Sequence, residues 1–223
     1  MHRLSEQFAA YCKSHFTFQD GESINYASLS VCLLDCIYSL RAKYFKVTLP
    51  IVDRYAAVYM NGNRFQDGDT LSDLLAHIQE QGGAAPFADN ILKNHQELGG
   101  RAHIAKVDAL IQLATYLKLL HIETVEDFRA FESPELLEIV IRAVKGMGDA
   151  GTNYLFMLAG DPNRCKPDVH IHHSIRDACG EDVSNEECQI LFLEATDILR
   201  NDYPFLTVKD LDGTIWREYQ ART

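Results

Sequence analysis

No run in the 223-residue chain approaches the twenty consecutive apolar residues that a membrane-crossing helix needs, and the opening stretch MHRLSEQFAAYC has no apolar core of the secretory kind. These absences exclude a spanning segment and predict a soluble, cytoplasmic protein. The six cysteines, at 12, 32, 36, 165, 179 and 188, form no C-x-x-C pair, so free thiols are expected. Internal repeats and low-complexity stretches are missing, and tryptophan occurs once, at Trp216, read as a clamp for the terminal helix. Positive charge is also scarce. With 21 Lys and Arg against 32 Asp and Glu, the net charge of −11 has the wrong sign for a protein that draws affinity from phosphate neutralisation. A nucleic-acid partner therefore requires a local basic face, for which Arg41, Lys43, Lys46, Arg101, Lys106, Arg142, Lys145, Arg164 and Lys166 are the candidates, with Glu132, Glu135, Glu186 and Glu187 turned elsewhere.

What is present reads as helix. Hydrophobic residues make up 47% of the chain, enough for one good core or two lobes. They recur at three- and four-residue spacing through Leu71 to Ile78, Val107 to Leu120, Leu136 to Val144 and Ile190 to Leu199, and residues 26 to 60 read as two helices broken near Ala42 to Tyr44. No segment alternates over strand length, so the fold class is all-α. Turn formers place breaks at Asn61 to Gly68, Gly82-Gly83, Gly99-Gly100 and Gly160 to Pro167.

The most informative stretch is Val144 to His173, VKGMGDAGTNYLFMLAGDPNRCKPDVHIHH. A helix ends before Gly146-Met147-Gly148, two glycines able to take positive φ, and Asp149 is placed to cap the next helix. Such a turn can aim consecutive backbone N–H groups and a helix N-terminus at one oxyanion, or it can simply pack. Downstream, Pro167 forces an extended residue before it, and Asp168 stands as the N-cap of a further helix. On the residues alone Asp168 is either a cap or a functional carboxylate. His170, His172 and His173 form H-x-H-H with Asp168 and Cys165 nearby, which raises a metal hydrolase as a rival; on a helix 170 and 173 share a face and 172 points elsewhere, and no metal is expected.

VKGMGDAGT and PDVHI together resemble the helix-hairpin-helix DNA glycosylases, the superfamily that contains endonuclease III and the adenine and alkylpurine glycosylases. Asp168 lies eighteen positions after Ala150, as the family's aspartate follows its hairpin lysine position. The resemblance implies one unit over residues 1–223 with two helical lobes, approximately 30–135 and 1–29 plus 136–223, and a DNA cleft between them. It makes Asp168 the catalytic carboxylate, stabilising an oxocarbenium-like sugar and orienting water. Ala150 replaces the lysine of bifunctional members, which implies a monofunctional enzyme that leaves an abasic site.

It also implies DNA contacts from Lys145, Gly146, Met147, Gly148, Ala150, Gly151 and Thr152. Ser39-Leu40-Arg41 stands where the family has a Ser-x-Gln turn, so that Arg41 inserts beside the flipped base. Tyr38, Ser39, Tyr44 and His170 are the base-pocket candidates. The four closely spaced cysteines of cluster-bearing members are missing, so no iron–sulfur cluster and no cofactor are expected, beyond a monovalent cation at the hairpin carbonyls. The implied partner is double-stranded DNA, bound by a monomer, and the base is either damaged or a phage-type modified cytosine. The alternative is a non-catalytic helix-hairpin-helix module that binds DNA or protein.

Overall fold

A computed structural model describes residues 2–21, 25–99 and 103–222. In chain order the elements are α1 (His2–His15), α2 (Leu29–Ser39), α3 (Thr48–Tyr59), α4 (Leu71–Glu80), α5 (Ala84–Phe87), a π-helical turn (Ala88–Leu92), β1 (Glu97–Leu98), β2 (Ile104–Ala105), α6 (Lys106–Leu119), α7 (Val125–Ala130), α8 (Pro134–Ala143), α9 (Asp149–Leu158), α10 (Val169–Cys179), α11 (Asn185–Leu199) and α12 (Val208–Gln220). The protein is mostly helical, as the spacing predicts. Strands β1 and β2 pair antiparallel over two residues each, too short for any alternation to register in sequence. Among the described residues no helix is long and apolar enough to cross a membrane.

The helix boundaries follow from local chemistry. Thr70 with Asp73, Thr124 with Asp127, Ser184 with Glu187 and Thr207 with Asp210 are reciprocal capping boxes that start α4, α7, α11 and α12. The anticipated breaks at 61–68, 82–83 and 160–167 are all non-helical, and both Gly82 and Gly83 take positive φ.

The chain divides into two compact units, residues 25–160 and residues 1–24 with 161–223. In the first, all eleven residues of α2 are buried, so this helix has no solvent face and forms the centre on which α3, α6 and α9 pack. In the second, α1 lies against α10 and α11, with Phe8, Cys12, Phe192, Leu211 and Ile215 in its core. The boundary differs from the expected lobes. Residues 136–160 group with the central helices rather than with the termini, because Leu137, Ile141, Val144, Met147, Leu155 and Phe156 all contribute to the 25–160 core.

Candidate functional site

The turn between α8 and α9 is built on one strained glycine rather than two. Gly146 has φ +96°, whereas Gly148 is extended at φ −92°, ψ −165° and is itself the N-cap of α9. Asp149 is thus the first residue of the helix and not its cap. A Cβ on Gly146 would stand 2.8 Å from Leu98 Cβ, so close approach of β1 requires glycine there as much as the dihedral does. Gly148, as N-cap of α9, offers no side chain to cap the first turn. The Asp149 carboxylate at the same end is paired with Arg142 at 2.9 Å.

Of the expected DNA contacts here, Lys145, Gly146 and Gly148 are exposed and Ala150 is half-buried. Met147 and Thr152 turn inward, a correction to any side-chain role for them. Met147 is only 3% exposed and its Cε lies 3.2 Å from where a Gly151 Cβ would be; Leu40 Cδ1 is at 3.4 Å from the same point. Gly151 itself is buried, and its carbonyl accepts the Cys36 thiol at 3.2 Å.

Beside this turn lies the end of α2. Lys106 is almost wholly buried, and its Nζ donates to the carbonyls of Tyr38 (3.1 Å) and Leu40 (2.8 Å) and to Gln96 Oε1 (3.0 Å). A cation thereby joins the Thr48 hydroxyl (3.1 Å to Tyr38 O) in satisfying carbonyls at the helix end. It is an interior strut, not part of a basic face. The chain then reverses at Arg41, whose φ of +53° is unusual for a residue with a side chain. Arg41 is exposed and its aliphatic Cδ lies 3.2 Å from the position of a Gly99 Cβ, so the side chain runs over bare backbone. Leu40 against Gly151, Leu98 against Gly146 and Arg41 over Gly99 bring the Arg41 turn and the glycine turn together within one unit.

A second polar centre joins the same elements and has no counterpart in the sequence analysis. Fully buried Asp35 accepts the hydroxyls of Tyr26 (2.8 Å) and Tyr44 (2.7 Å) on Oδ2 and of Tyr154 (2.8 Å) on Oδ1. Burial first, and then the carboxylate, push all three phenols up from their usual range, so they stay donors. Tyr44 is therefore engaged with Asp35. Of the other pocket candidates of this unit, Ser39 bonds the Cys36 carbonyl at 2.8 Å, whereas Tyr38 is fully buried with its hydroxyl unpartnered.

The carboxylate turn belongs to the other unit. Asp168 is half-buried and caps α10, its Oδ1 accepting the N–H groups of His170 (2.9 Å) and Ile171 (3.2 Å) while Oδ2 takes neither bond. The loop before it is strapped along its length. Pro162 O accepts Lys209 N from α12 at 3.1 Å, and Gln189 of α11 bonds both Asn163 O (2.7 Å) and Cys165 N (3.0 Å). Lys166 N donates to Asp212 Oδ2 of α12 at 2.8 Å. Asp212 is 4% exposed, and burial first, then the facing charge of Asp168, raise its carboxyl to about 8. Lys166 and Lys209, each 9% exposed, oppose that rise.

The remaining candidates resolve as follows. His170 sits edge-on to Trp216, ring centres 6.4 Å apart, and His172 Nε2 meets Asn185 Oδ1 at 2.9 Å. Among the described residues no group of three or more His, Cys, Asp or Glu is arranged to hold a metal ion. Of the expected basic face, Arg41, Lys43, Lys46 and Lys145 are exposed in the 25–160 unit. Lys106 is interior, Arg142 pairs with Asp149 and Glu138, Lys166 is buried, Arg164 pairs with Asp161, and Arg101 lies outside the described residues.

No curated protein and no solved structure matches the chain. A family described as a domain of unknown function, DUF8548, matches residues 6–221, nearly the whole length, and the chain belongs to that family.

Proposed function

We propose that the chain is a monofunctional DNA glycosylase that extrudes a base from double-stranded DNA and hydrolyses its N-glycosidic bond, leaving an abasic site. The observation that carries this reading is the Asp168 turn. A carboxylate with Oδ2 outside its capping bonds, held on a loop fixed at Pro162, Asn163, Cys165 and Lys166, is the preorganised anion that an oxocarbenium-like transition state requires. In this reading the α8–turn–α9 segment is a helix-hairpin-helix motif. Its backbone around Gly146 and Gly148, with Lys145, holds a phosphate, and Arg41 on the neighbouring turn enters the space of the extruded base. Ala150 supplies no amine, so the product is an abasic site and not a cleaved strand. Asp168 would accept a proton from water or hold it for attack on C1′, while the base leaves with its bonding electrons and takes up a proton.

A second reading is favoured by a specific observation: Oδ1 of Asp168 already makes two ordinary capping bonds. In that reading the residue only starts α10, and the glycine and Arg41 turns form a binding module. A panel of duplex DNAs carrying deaminated, oxidised, alkylated or phage-type modified bases separates the two, scored as alkali-labile abasic sites. Release from one class supports the glycosylase and names its base; binding without release from any of them supports the module.

A further inference from the structure

We propose that Asp212 of α12 is a positioning residue for Asp168, a second acidic group that fixes the Lys166–Asp168 turn through the backbone. The inference rests on the reading of Asp168 as the catalytic carboxylate.

The geometry is that of a built site. Asp212 is nearly inaccessible to water, its Oδ2 receives the N–H of Lys166 at 2.8 Å, and that residue is separated from Asp168 only by Pro167. Proline fixes the intervening φ, so an anchor at Lys166 is transmitted directly to the orientation of Asp168. The start of α12 adds a second anchor, Lys209 N to Pro162 O at 3.1 Å. The groups facing Asp212 are Asp168 and Lys166 from the turn, Cys165 from the same loop with Cys188 of α11 behind it at 3.9 Å between sulfurs, and Lys209 from its own helix. Half-buried Asp168 thus stands beside three buried charged groups, Asp212, Lys166 and Lys209. Two like charges in such a place do not ionise independently.

Burial and the charge on Asp168 keep the Asp212 proton on until about pH 8. At neutral pH Asp212 is therefore the neutral member of the pair, and the Lys166 and Lys209 charges act on Asp168 with little competition from it. Above that midpoint a second negative charge appears beside Asp168. The added charge strengthens the attraction of this turn for a cationic sugar, so the chemical step responds to the protonation of a group that touches no substrate.

The test is carboxyl ¹³C NMR of the full chain labelled at aspartate, with Asp212 and Asp168 assigned from the signals lost in D212N and D168N. Asn keeps the acceptor for Lys166 N–H at 212 and the cap at 168, so both variants should fold. The expected result is an Asp212 midpoint near 8 in the wild type that falls by about one pH unit or more in D168N and rises in K209M. An Asp212 midpoint in the ordinary carboxylate range, or one that D168N leaves in place, overturns the proposal. In base-release assays the pair should give an inflection in kcat that D212N removes with KM unchanged. A chain that shows the coupled titration but releases no base keeps the carboxylate pair and loses the glycosylase reading; one that releases base without coupling keeps the reading and loses the pair.

Discussion

Leu98 occupies the space that a side chain on Gly146 would need: a Cβ there would lie 2.8 Å from Leu98 Cβ and 3.0 Å from its Cδ1, at a φ of +96°. Gly146→Ala should therefore cost about 1–3 kcal/mol, combining backbone strain with a clash. Gly148 meets nothing within 4 Å and has ordinary extended dihedrals, so Gly148→Ala should cost only the difference between glycine and alanine as an N-cap, at most about 1 kcal/mol. Urea unfolding followed by helical circular dichroism measures both. Equal losses at the two positions would contradict the turn geometry.

Lys106 supplies one buried cation to three acceptors. Lys106→Met keeps most of the aliphatic stem but takes the buried donor away from the Leu40 carbonyl and Gln96 Oε1, while the Tyr38 carbonyl keeps the Thr48 hydroxyl at 3.1 Å, at about 1–3 kcal/mol. The loss should be local to the end of α2 and the Arg41 turn. Amide hydrogen exchange should accelerate there first and leave α10 to α12 unchanged; uniform acceleration over both units would argue against the strut.

The pH dependence of stability has a definite sign at Asp212. Its carboxyl is raised from 3.8 to about 8 in the folded chain, whereas the unfolded chain ionises it near the ordinary value. Between those values the folded state binds the extra proton, so this group's contribution is complete below about pH 4 and is lost as pH rises toward 8, at up to about 1.4 kcal/mol per pH unit. Thermal unfolding of D212N should lack that decline. A variant with the same slope as wild type would place the titration on another group.

The sequence carries most of the helix pattern and little of the polar interior. Thr70 with Asp73 and Asp168 before Val169 announce helix starts because a cap bonds within three residues. The start of α9 differs from the sequence expectation by one residue: Asp149 is a common cap residue, but extended Gly148 already serves. Lys106 reads as surface charge, since its burial depends on a helix end 66 residues away. The three tyrosines on Asp35 lie 9, 9 and 119 residues from it, and Asp212 lies 46 from the N–H it receives. An aspartate inside the apolar run LLDCIYS is the one signal that could have flagged the first of these. Asp212 shares helical spacing with buried Val208 and Ile215, but nothing local in the sequence names the Lys166 N–H it receives.

Ala150 is half-buried in the first turn of α9, where the family resemblance implies a lysine in strand-cleaving members. Ala150→Lys should add a borohydride-trapped protein–DNA adduct on abasic DNA to a chain that otherwise forms none. Trapping by the wild type to the same extent would show that another amine reaches the sugar.

The most direct measurement is single-turnover base release on the DNA class that the panel selects, wild type beside Asp168→Asn, with duplex affinity measured in parallel. Asn retains the cap and the shape but removes the charge, so the glycosylase account predicts loss of at least about a hundredfold in rate with affinity within a few-fold of wild type. A substitution that leaves the rate unchanged would contradict the account and reduce Asp168 to the cap of α10.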